Sequence, residues 1–98
     1  MDKYLVVVNM TIKVRVVFLA RAGDVVGKHF HDFILDDNAT LNDLIEAIGK
    51  ELSPRFYRGV KNGRLVFAIF VNGKPVDEPN YKLKDNDRVV FTTPEMGG

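Results

Sequence analysis

The chain has 98 residues, 46% hydrophobic and 28% charged, with 14 Lys and Arg against 13 Asp and Glu for a formal net charge of +1. Those values fit one soluble globular domain, leave no room for a second core, and exclude the broad basic field that gathers nucleic-acid backbone, so no direct nucleic-acid partner is expected. With no cysteine, disulfides, thiolate metal sites and a cysteine nucleophile are also excluded.

The opening "MDKYLVVVNM" carries an apolar run only from Leu5 to Val8, shorter than the roughly 7 to 15 residues of a signal-peptide core. No stretch reaches the roughly 20 apolar residues of a membrane span, so the expectation is a cytoplasmic protein with no membrane partner. From Ile12, "IKVRVVFLA" alternates, with Ile12, Val14, Val16 and Phe18 on one face and Lys13 and Arg15 on the other, which predicts a first strand. "RAGDVVGK" holds two glycines and Asp24 and reads as the loop of a hairpin. "HFHDFILD" then predicts a second strand with Phe33 and Leu35 on one face.

Leu41, Leu44, Ile45, Ile48 and Leu52 form one helical stripe, with Thr40 placed to cap it, Asp43 and Glu46 near its positive end, and Pro54 beyond its stop. The spacing predicts a helix from Leu41 to Leu52. "SPRFYRGVKNGR" reads as an irregular connection with at most one short turn. "LVFAIFV" predicts a strand, Asn72-Gly73 a tight hairpin turn, and Pro75 a short edge strand. A turn over Asp85, Asn86 and Asp87 leads into a last strand, Arg88 to Thr93.

This order predicts an α+β domain over residues 12–93, a mixed sheet of four to five strands with one main helix packed across one face. The helix stripe is expected to cover Val14, Val16, Phe18, Phe33 and Leu35. The arrangement is the β-grasp architecture, with the first and last strands adjacent and parallel at the sheet centre. Residues 1–11 are an N-terminal extension without a structural assignment, and residues 94–98 an extended tail. Parallel central strands release "PEMGG" outward, and Pro94, with fixed φ and no N–H, discourages helix and further ladder pairing there.

Several constellations carry little. His29 and His31 share a strand face, yet no third ligand is near in the sequence, so an ordinary edge pair is the reading and no metal is expected. The Asp-rich turns at Asp36 and Asp85 lack the glycine and closing glutamate of a calcium loop. Asn9-Met-Thr11 and Asn38-Ala-Thr40 match the glycosylation sequon by chance. "GDVVGKH" from Gly23 is one residue short of a P-loop and has His29 where a magnesium-binding hydroxyl belongs, so no bound cofactor is expected.

Taken together, "VRVVFLARAGDVVG", "TLNDLIEAI", "FVNGKPV", "LKDNDRVVF" and the final "GG" resemble the MoaD/ThiS family of ubiquitin-like sulfur carriers, from about Ile12 to Gly98. The likeness is nearest to the small subunit of molybdopterin synthase and to archaeal small modifiers. It implies that an E1-like enzyme spends ATP to adenylate the Gly98 carboxylate and that a sulfur donor converts the adenylate to a thiocarboxylate. The implied destination is molybdopterin, with the molybdopterin synthase large subunit as a further partner. Thiazole or tRNA sulfur transfer, attachment to lysines as a modifier, and a noncovalent interaction module are the alternatives. In each carrier reading the chain is a substrate of partner enzymes, not a stand-alone catalyst.

Within that resemblance Gly98 carries the reacting group and Gly97 gives it access, because a tail without β-carbons lets backbone approach phosphates and oxyanion donors closely. The strand stretches "VVFLA" and "LVFAIFV" are apolar on both faces, which points to an outward patch of Val17, Leu19, Phe70 and Val90 for partner docking. Pro94 and Met96 join that partner-binding set from the tail. The rival reading has Tyr4 to Val8 folded over the patch, or self-association. The sequence departs from the family at "MDKYLVVVN", which has no counterpart, and at Asn86, where relatives often have glycine. Asn tolerates the left-handed region, so the turn is expected to survive.

Overall fold

The alternation beginning at Thr11 makes the first strand, β1 (Thr11–Phe18), with Ile12, Val14, Val16 and Phe18 buried and Lys13 and Arg15 exposed. The structure, a computed structural model, describes residues 10–94. The expected N-terminal extension, apart from Met10 and Thr11, and the tail beyond Pro94 lie outside those residues.

Where the sequence reading placed a hairpin loop, the chain forms a short helix, α1 (Arg21–Val26). This corrects the first connection. No side chain caps the helix; it is held by burial of Ala22 and closed by Gly27, whose φ of 79° suits a left-handed C-cap. β2 (Phe30–Asp36) returns antiparallel to β1, with Phe33 opposite Val14 and His31 opposite Val16.

The predicted main helix is α2 (Leu41–Glu51), with Leu52 as its C-cap. Thr40 closes a capping box: its hydroxyl accepts from Asp43 N, and the Asp43 carboxylate accepts from Thr40 N at 2.9 Å. Leu41, Leu44, Ile45 and Ile48 are buried, as the stripe requires. The next stretch is a second correction. "PRFYRGVK" is an eight-residue helix, α3 (Pro54–Lys61), not an irregular connection. Ser53 caps it by accepting from Phe56 N at 3.0 Å, and Pro54 occupies the first turn, where its missing N–H costs nothing.

β3 (Ala68–Val71) is shorter than the apolar run that suggested it, and a turn over Asn72 (φ 51°) and Gly73 (φ 85°) leads to the two-residue edge strand β4 (Lys74–Pro75). Asn72 ties that turn to the neighbouring strand, its Oδ1 accepting from Arg88 N at 2.9 Å and its Nδ2 donating to Asp87 at 2.8 Å. Asn86 stands at φ 69°, the left-handed conformation expected of it. β5 (Arg88–Thr92) closes the sheet in the order β2-β1-β5-β3-β4. β1 and β5 are parallel, Val16 beside Val89 and Phe18 beside Phe91, and the other pairs are antiparallel.

One face of the sheet supplies the core. Phe18 stacks on Phe91 with ring centroids 6.1 Å apart, and Phe56 of α3 meets both edge-on, at 6.0 and 5.3 Å. Val14, Val16, Phe33, Leu44 and Ile48 extend the same core toward α2, while Leu35, expected in it, is half-buried at its margin. The α+β class and β-grasp topology therefore stand, with two short helices where loops were expected.

Candidate functional site

β1 and β5, being parallel, finish at the same end of the sheet. There Leu19 N donates to Phe91 O at 2.9 Å, and Arg21 N donates to the Thr93 hydroxyl at 3.3 Å. The chain therefore leaves the sheet at Thr93 and Pro94, beside the start of α1. Thr93 is exposed and Pro94 half-buried. Met96, Gly97 and Gly98 lie outside the described residues.

The outward patch has a definite geometry. Val17, Val90 and Phe70, all half-buried, are direct register partners across β1, β5 and β3; Val17 and Val90 alternate with buried neighbours, so they face away from the helices, and Phe70 shares their face by register. Register extends the row at both ends, to Phe30 on β2 and Pro75 on β4. Phe30 is 54% exposed and Leu19, past the end of β1, 47% exposed. Sequence reasoning missed Phe30, although its place opposite Phe33 in the alternation of β2 marks the outer face. Beside this row Arg15 donates twice to Asp32, Nε to Oδ1 at 2.7 Å and Nη2 to Oδ2 at 3.0 Å. That paired bond holds the Asp32 carboxyl below its usual range and raises Arg15 above its own.

On the other side of the exit, Arg21, Arg55, Arg58, Asn62 and Arg64 line a cleft that nothing in the linear charge pattern announced. The signal that would have found it is Ser53-Pro54 as a helix start, which puts Arg55 and Arg58 on one face of α3, with Asn62 at its C-cap. His31 faces Lys28 (3.1 Å) with one ring nitrogen and Glu51 (3.7 Å) with the other. Among the described residues no three potential metal-ligating side chains gather, and no helix is long and apolar enough to cross a membrane.

With the parallel exit and the outer row in place, the sequence profile of the ThiS family matches residues 16–98. The chain belongs to the ThiS family. Three solved structures share its fold. A Pyrococcus furiosus protein assigned as molybdopterin converting factor subunit 1 is 28% identical, with a TM-score of 0.68 over 86% of this chain and 99% of that one. SAMP1, a small archaeal modifier protein of Haloferax volcanii, is 18% identical, with a TM-score of 0.70 over 88% and 99%, and shares the fold. The complex of subunits 1 and 2 of the Helicobacter pylori molybdopterin-converting factor contains a chain 25% identical, with a TM-score of 0.56 over 89% and 100%. Comparison with curated protein sequences returns no match. This ThiS-family chain thus has the β-grasp fold, shared with the molybdopterin converting factor subunit 1 of Pyrococcus furiosus and with SAMP1.

Proposed function

We propose that this ThiS-family protein carries sulfur as a thiocarboxylate on Gly98, in the assembly of molybdopterin. The observation that carries the reading is the parallel pairing of β1 with β5, which brings the chain to Thr93 and Pro94 at the end of the sheet where β1 also finishes, within a family match that runs through Gly98. A glycine α-carboxyl has a reference pKa of about 3.5, so at neutral pH it is an anion and a poor electrophile. Adenylation corrects this. A carboxylate oxygen attacks the α-phosphorus of ATP and pyrophosphate leaves. Sulfide then displaces AMP to give the thiocarboxylate, or a donor persulfide displaces AMP to give an acyl disulfide. A second thiol opens that acyl disulfide, releasing the thiocarboxylate and leaving the donor in a disulfide with that thiol.

The chain has no phosphate-binding loop, so an E1-like enzyme supplies the ATP site and a separate donor the sulfur. Gly97 keeps the tail narrow enough for the backbone to reach the nucleotide. Holding backbone in a single conformation costs about 1 to 2 kcal/mol per residue, which contacts of the body must offset where a tail is gripped. The outer row of Val17, Val90 and Phe70, with exposed Leu19 beside the exit, supplies them, and Pro94 and Met96 continue the contact into the tail. The likeness to subunit 1 in the Helicobacter pylori complex supports a large synthase subunit as the second partner. The compartment proposed is the cytoplasm.

Intact mass spectrometry after incubation with the cognate E1-like enzyme, ATP and a sulfur donor tests this. Exchange of one oxygen for sulfur is the expected result. Its absence, with the chain instead joined to lysines of other proteins, would make it a modifier.

A further inference from the structure

Four arginines from two parts of the sequence line one cleft of about 590 Å³: Arg21 of α1, and Arg55, Arg58 and Arg64 in and just after α3, with Asn62 and Leu65. The backbone that carries the cleft is held by packing and hydrogen bonds. α3 is pinned to the sheet by Phe56 on Phe18 and Phe91. The segment after it folds back, with Leu65 N donating to Gly59 O at 2.9 Å and Arg64 N donating to Asn62 Oδ1 at 3.0 Å. Gly59 is what permits this, since a β-carbon there would overlap the Leu65 side chain. On the opposite wall, Arg21 gives its backbone N–H to Thr93, so the cleft adjoins the point where the chain leaves the sheet.

Among the described residues no carboxylate forms an ion pair with any of the four guanidiniums. Like charges brought together raise the energy of the fold unless an anion joins them. We propose that the cleft binds a carboxylate-rich segment at the rim of the protein that receives the tail. The inference rests on the tail reading above. Position favours rim carboxylates over the nucleotide itself. Four extended residues beyond Pro94 span up to about 14 Å, so the reacting group works at the far end of the tail while the cleft stays at its base. Arginine forks take carboxylates in paired hydrogen bonds, and a charged patch next to the entering segment speeds and orients encounter.

The test uses the full chain and two double variants. R55E/R58E reverses two charges in the cleft, and K74E/K84E makes the same charge change at the opposite end of the sheet. Association with the cognate E1-like enzyme is measured at low and high salt. The R55E/R58E rate constant is expected to fall about ten-fold or more at about 50 mM salt, and the deficit to shrink at about 500 mM, with K74E/K84E much closer to wild type. Equal effects of the two variants, or none, would overturn the proposal. NMR titration with hexaglutamate and, separately, pyrophosphate identifies the anion. Shifts of the Arg55, Arg58, Asn62 and Arg64 amides by hexaglutamate are expected, and a response to pyrophosphate alone would overturn the carboxylate assignment. A chain lacking Gly97 and Gly98 separates the two readings. If it is still adenylated, the tail reading fails while the association result stands; if it associates with undiminished salt dependence but is not adenylated, both hold.

Discussion

Ala20 has φ 52° and ψ −130°, a region glycine enters freely and a β-carbon crowds. It sits between Leu19, bonded to Phe91, and Arg21, bonded to Thr93, so the strain is held at the exit itself. Replacing Ala20 with Gly is expected to stabilise the protein by about 1 kcal/mol in chemical denaturation, the relief of strain exceeding the added freedom of the unfolded chain. A lower denaturation midpoint for that variant would contradict the strain. The Arg15–Asp32 pair makes a second residue-scale prediction. Asp32 has a depressed folded pKa, so its contribution is present above the ordinary carboxylate pKa and is lost as pH falls through the folded value. Arg15 is exposed and Asp32 only partly buried, so solvent screening keeps the contribution small. Thermal melts of Asp32→Asn should therefore show a slight deficit near pH 7 that closes toward strongly acidic pH; a deficit growing in acid would contradict the pairing.

Between elements, α2 and α3 meet through Gly49, where a β-carbon would stand 2.5 Å from Tyr57 Cβ. Gly49→Ala is expected to cost about 1 to 3 kcal/mol by overpacking, despite alanine's better helix propensity. Equal or greater stability in urea would mean that the two helices separate easily. The same elements explain what the sequence did and did not reveal. α2 was legible because five apolar residues at helical spacing follow a capping Thr, and the β3–β4 turn because Asn72-Gly73 suits positive φ at both positions. α1 has no capping side chain and contains a glycine and two valines, so its helicity comes from tertiary burial of Ala22. α3 is short and mostly polar, and only Ser53-Pro54 announced it. Missing α3 also hid the arginine cleft, since Arg55 and Arg58 become neighbours of Arg21 and Arg64 only after Phe56 docks. The outer row needed no such step, because alternation along β1 and β5 already places Val17 and Val90 on one face.

For the whole molecule, the β-grasp frame brings three things near one end of the sheet: the point at Thr93 where the chain leaves it, exposed Leu19 beside the outer row, and the arginine cleft. A protein that draws in the tail must approach this end. Leu19 is exposed beside the exit, so Leu19→Asp should leave the melting temperature nearly unchanged while weakening association with the E1-like enzyme about ten-fold or more. Unaltered affinity in a titration calorimetry measurement would place docking elsewhere. The central claim concerns the backbone carboxylate at Gly98, and ATP–pyrophosphate exchange catalysed by the cognate E1-like enzyme tests it most directly. Exchange is expected with the full chain and is expected to vanish when Gly98 alone is removed; persistence of exchange at the full rate without Gly98 would contradict the account.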